Sequence, residues 1–213
     1  HIFLYLIGDL AFLPIQVLLV TLIIDRLLNV REKRSLLKKL NMVIGAFFSE
    51  VGTDLLKSFF RFTLHQDEIR QDIVEKNYWS NKAFSNIRKR LKNYDYRMES
   101  QKGDLEQLKD FLLKKREFLL ALLENPNLLE HESFTELLWA VFHLTEELAL
   151  RADVKQLPDT DYSHLSGDIK RAYTLLMAEW LAYMKHLRDN YPYLFSLSAR
   201  MNPFDPNASP LVG

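Results

Sequence analysis

The sequence contains no cysteine, which removes disulfides, thiolate metal sites, iron–sulfur clusters and cysteine nucleophiles together. Its six glycines are isolated from one another, so no phosphate-cradling loop, dinucleotide fingerprint or Gly-x-Ser-x-Gly elbow is assembled. Net charge is missing as well: 28 Lys and Arg balance 28 Asp and Glu, which excludes a basic nucleic-acid coat and an acidic disordered tail. Strand-like alternation is not found beyond residue 30, and this predicts an all-α chain.

What is present suits packed helices: 48% hydrophobic residues and 213 positions, enough for one core. Charge is balanced overall but not along the chain. Residues 1–103 carry 17 Lys and Arg against 11 Asp and Glu, and residues 104–213 carry the reverse, 11 against 17. The two halves therefore either pack on each other or face different surroundings.

Ile2 to Ile24 is apolar apart from Gly8, Asp9, Pro14, Gln16 and Thr21. As one helix it would span about 34 Å, which predicts a transmembrane segment over residues 1–28. A secretory signal would need a basic start and a small-residue cleavage site, and neither is there. The chain opens on His1 and not on methionine, which leaves room for residues upstream. Arg26, Arg31, Lys33, Arg34, Lys38 and Lys39 follow the apolar run. They predict a cytoplasmic C-terminal part of a single-pass cell-membrane protein, with those six side chains at anionic lipid headgroups. Asp9 and Gln16 lie two turns apart on one stripe, the pattern of association within a bilayer.

Helical spacing then predicts further helices over about 36–64, 67–100 and 104–124, one from a capping box at Ser133 to Glu136, and one over 166–191. This is an antiparallel helical bundle within 29–191, followed by an irregular tail over 192–213 that starts at Pro192. The basic stretch of the 67–100 helix carries Lys82, Arg88, Lys89, Arg90, Lys92 and Arg97 but no nucleic-acid reading motif, so no nucleic-acid partner is expected.

The one chemistry that the composition leaves open is a carboxylate and imidazole metal site inside the bundle. Glu136, His143 and Glu147 on one helix, with Glu179 and His186 on another, are its candidates. The Glu-x-x-His signature of di-metal bundles is absent, and at 100° per residue these side chains fall away from the apolar faces. No metal and no cofactor is therefore expected. Trp139 shares the polar stripe of His143 and marks a second contact there. The leading expectation is a membrane-anchored, non-enzymatic scaffold or assembly subunit that forms a homo-oligomer. An oligomeric pore lined by Asp9 and Gln16 is the alternative, and a helical-bundle metalloprotein is the second alternative.

Overall fold

The computed structural model describes residues 2–74, 84, 87, 90 and 94–211, without the side chains of 2–15, 34, 72, 129 and 130. The chain divides into two compact units, His1–Asn41 and Met42–Gly213. Its described residues are helical, as the composition implies, and their only extended pairing is an isolated bridge between Thr63 and Met98.

Helix α1 runs from Ile2 to Phe47 and contributes to both units. No break separates residues 28 and 36, because neither glycine nor proline occurs between Pro14 and Gly45. Among the described residues no helix is long and apolar enough to cross a membrane, which corrects the expected spanning segment. The single-pass topology, the cell-membrane placement and the cytoplasmic assignment rested on that segment and fall with it.

In the second unit the chain leaves α1 through a π-helical turn, Phe48–Gly52, and enters α2, Thr53–Phe60. Gly52 is needed there. A Cβ at this position would stand 2.6 Å from the Phe48 ring and 2.8 Å from the Phe47 ring. The Phe47 ring meets Phe134 edge-on at 5.2 Å, and Phe48 stacks on Tyr183 at 4.9 Å.

Helix α3 is described over Gln66–Val74, and Phe84, Ile87 and Arg90 are helical as well, but the expected 67–100 helix does not extend over its last residues. Lys82, Arg88, Lys89 and Lys92 lie outside the described residues. The segment from Tyr94 to Glu99 is not helical, since Leu64 donates to the Arg97 carbonyl (3.0 Å) and Glu99 donates to the Phe62 carbonyl (3.0 Å). Tyr96 and Met98 are buried by this return.

Helix α4, Leu105–Leu123, begins where Asp104 accepts from the Gln107 amide. Helix α5, Glu132–Leu150, is capped by His131, whose Nδ1 accepts from the Phe134 amide (3.2 Å). The expected capping box does not form, because Ser133 Oγ donates across the bundle to Glu179 Oε1 at 2.6 Å. Helix α6 starts at Asp159 and not at Ser166, and runs to Asn190, with Pro158 before it and Asp159 and Asp161 in its first turn. Early carboxylates favour the positive end of a helix. Pro192 starts α7, Pro192–Arg200, instead of ending regular structure, since proline fits a first helical position.

Helix α5 packs on both α4 and α6, and α6 also packs on α2 and α7. Phe134, Leu137, Val141, Leu144 and Leu148 from α5 and Leu165, Ile169, Ala172 and Tyr173 from α6 are fully buried. Beyond α7, Phe204 is buried with ring contacts to Phe60 and Trp180, both at 5.3 Å. Phe134→Ala should cost about 3–5 kcal/mol in urea unfolding, because the cavity it leaves is lined by side chains held from several helices. A loss below about 1 kcal/mol would show that the Phe47–Phe134 contact is not a core contact.

Candidate metal centre

The seam between α5 and α6 is antiparallel, and its register follows from the pairs it makes. Ser133 meets Glu179, His143 meets Asp168, and Glu147 meets His164. On α5, His143 and Glu147 are four residues apart on one face, and on α6 His164 and Asp168 are too. Antiparallel packing lays these two pairs against each other.

The distances are short and similar. His164 Nε2 is 3.2 Å from Asp168 Oδ2 and 3.5 Å from Glu147 Oε2. His143 Nε2 is 3.5 Å from Asp168 Oδ2 and 3.9 Å from Glu147 Oε1. Ligand atoms of His143, Glu147 and His164 all lie within 4.8 Å of one another. A tetrahedral ion with bonds of about 2.0–2.1 Å holds its ligand atoms about 3.3 Å apart; the imidazole–carboxylate separations of 3.2–3.9 Å are near that spacing, and the 4.8 Å bound on the three residues is wider than it.

Burial is uneven. The two imidazoles are about half exposed, at 46% and 51%, whereas the Asp168 side chain is only 5% exposed. Its Oδ2 is buried and accepts no hydrogen bond, although both imidazole nitrogens stand near it. Arg171 approaches the other oxygen, Oδ1, at 3.6 Å.

Arg151 braces the opposite carboxylate. It donates to Glu147 Oε2 at 2.7 Å and forks onto both oxygens of Asp161 at 3.1 Å, tying the end of α5 to the start of α6. Its hydrogen bond holds the Glu147 carboxyl below the ordinary carboxylate range, with its charge and those of His164 and His143 adding to the effect. Asp161 is lowered by the same guanidinium, and Arg151 is raised in turn, first by its bond to Asp161.

Of the five residues considered from sequence, the structure brings only His143 and Glu147 into this cluster. Glu179 is buried and accepts from Ser133. His186 packs on Tyr191 at 5.6 Å, with its pKa lowered by burial, and Glu136 lines a neighbouring cavity. The wheel argument assumed one buried side for each helix. Helix α5 has two partners, and its polar stripe runs along the edge of the seam with α6, where Glu136, Trp139 and His143 stay exposed and His143 reaches Asp168 of α6. His164 and Asp168 were missed because His164 was assigned to a loop before residue 166. The readable signal was the repeat of His-x-x-x-acid in two neighbouring segments.

The other sequence candidates lie in the first unit. Arg26, Arg31, Lys33, Lys38 and Lys39 are exposed there, and the Arg34 side chain lies outside the described residues. Their headgroup role loses the spanning helix that supported it. Gln16 is exposed, and the Asp9 side chain also lies outside the described residues.

Fold and site together define an all-α bundle with a mixed imidazole and carboxylate cluster between two antiparallel helices. The chain belongs to the family described as "Uncharacterized protein MJ1433, C-terminal helical domain", whose family model matches residues 36–200. A second model, "MJ1433, N-terminal helical domain", matches residues 1–28. "Uncharacterized protein MJ1433" of Methanocaldococcus jannaschii is 51% identical over 205 residues, 96% of this chain and 82% of that protein. No solved structure matches the chain.

Arg151→Met tests the brace. Carboxylates whose folded pKa is lowered stabilise the fold above their unfolded pKa, and lose that contribution as pH falls through the folded value. The variant should therefore melt below the parent at pH 7, with a narrower gap at pH 3. An equal gap at both pH values would assign the effect to packing of the side chain.

Proposed function

We propose that the chain is a helical-bundle metalloprotein that holds one divalent transition-metal ion between α5 and α6. His143, His164 and Asp168 are its ligands, and Glu147 stands at the fourth position. The observation that carries this reading is the Asp168 oxygen, buried without a hydrogen bond and flanked by two imidazole nitrogens from facing helices. A buried carboxylate is costly unless a cation or donor compensates it, and a metal ion does so directly. Two imidazoles with two carboxylates suit zinc, iron or manganese, and the lack of cysteine excludes thiolate alternatives. Zinc fits the spacing best.

Arg151 keeps Glu147 ionised and holds its Oε2. Glu147 is thereby suited to complete the coordination as a carboxylate. With water in the fourth place, the centre has the form of an open, Lewis-acidic site.

Calorimetric titration of chelator-treated full-length protein with zinc should give one equivalent bound. Asp168→Asn or His164→Ala should weaken it by more than the ~10–100-fold that loss of a group bonded to a ligand costs, and His186→Ala should leave it unchanged. Equal zinc binding by the parent and by the Asp168→Asn, His164→Ala double variant would refute the site.

A second reading, an assembly subunit that forms a homo-oligomer, is supported by a different feature. In the first unit, large apolar side chains from Val17 to Val30 are exposed, and an apolar surface of that extent marks an interaction site. Light scattering after chromatography should show an oligomer that Leu27→Glu with Val30→Glu converts to monomer. A monomeric parent would remove this reading.

A further inference from the structure

Beside the cluster, α5 and α6 line an open surface cavity of about 840 Å³ that His143 also borders. We propose that this cavity binds a small aromatic oxyanion, a flat ring that carries a carboxylate or a phosphate, with the ring against Trp139 and the anionic oxygens toward Lys170 and Arg171. The part played below by the metal rests on the reading of the chain as a metalloprotein.

The volume lies in the range of small-molecule pockets, about 300–1,000 Å³, and the walls combine apolar surface with a few polar groups as such pockets do. Trp139 is 59% exposed at the cavity although it is among the largest apolar side chains of the bundle. Ala140 and Leu175 continue the apolar wall, and Lys170, Arg171 and Thr174 supply cations and a hydroxyl. A flat ring with a terminal oxyanion matches this division, since arginine's fork suits two oxygens of one group.

Gly167 is the independent observation. It sits inside the long helix α6, where glycine costs roughly 0.5–1 kcal/mol relative to alanine. A Cβ there would meet no atom within 4 Å, so no neighbour in the fold requires the missing side chain. The room it leaves belongs to the cavity that Gly167 lines.

The charges that face the cations set when they bind. Lys170 pairs with Asp95, and Arg171 stands 3.6 Å from Asp168 Oδ1. Glu136 adds a negative charge on the α5 side. An ion on Asp168 neutralises the partner of Arg171 and frees the guanidinium for the ligand. The metal and the oxyanion therefore favour each other.

The test is fluorescence or calorimetric titration of the full chain with 2-naphthoate and with 2-naphthyl phosphate, each with and without one equivalent of zinc. At least one probe should bind, several-fold tighter with zinc, and whichever binds more tightly tells carboxylate from phosphate. Trp139→Leu should weaken binding about tenfold. Gly167→Ala should also weaken it while raising the melting temperature, a pair of effects that simple damage to the fold would not give. If zinc binds and neither probe does, the proposal is overturned and the metal centre stands. If a probe binds but zinc does not, the cavity stands and the metal centre is overturned. Probe affinity unchanged in both variants would place the ligand elsewhere and overturn the proposal.

Discussion

Between α5 and α6 the chain reverses through residues 151–158, and the apolar seam that forms there sets which polar groups can meet. Leu137, Val141, Leu144 and Leu148 bury one side of α5, and the α6 residues around Leu165 and Ile169 fill the space against them. At roughly 25 cal/mol per Å² of apolar surface, such a seam outweighs any single polar contact along it, so the polar pairs adopt the register that the core dictates. A slip of one turn would carry His164 and Asp168 about 5.4 Å past His143 and Glu147 and dissolve the cluster. Arg151 reinforces the register at the turn, and the bond from Ser133 to Glu179 does so at the far end.

Within that register the carboxylate of Asp168 is the unusual member. Its neighbour Glu147 has a guanidinium on it and Asp161 has the same guanidinium bidentately, while Asp168 has His143, His164 and Arg171 at 3.2–3.6 Å but no hydrogen bond to its buried Oδ2. Low local dielectric strengthens every charge interaction made there and makes an uncompensated charge more costly. On the proposed reading, a cation shared by the two imidazoles would relieve that cost and would also neutralise the partner of Arg171.

The first unit follows different physics. Its helix exposes apolar side chains between Gln16 and Val30 and then a run of cations, and only the uninterrupted helical propensity from Pro14 to Gly45 gives it order within itself. Sequence alone favoured a membrane span there because it counts apolar residues from Ile2. That expectation is withdrawn, since no described helix meets the length and apolarity needed.

Local pattern was enough to fix the helical class and the start of the 105–123 helix near residue 104, because each depends on neighbours within a turn. Composition alone also excluded thiolate and glycine-loop chemistry. The start of α6 was not legible, because Asp159 to Ser166 reads as a polar loop until packing holds it helical. The capping box at Ser133 was misread for a related reason: its hydroxyl had a partner 46 residues away. The metal cluster needed tertiary structure most of all. His143-x-x-x-Glu147 and His164-x-x-x-Asp168 are each ordinary surface pairs within one helix. Only a two-sided α5, buried against α4 and α6 together, turns one pair onto the other and removes water from Asp168, and helical periodicity carries no information about which second helix borders a polar stripe.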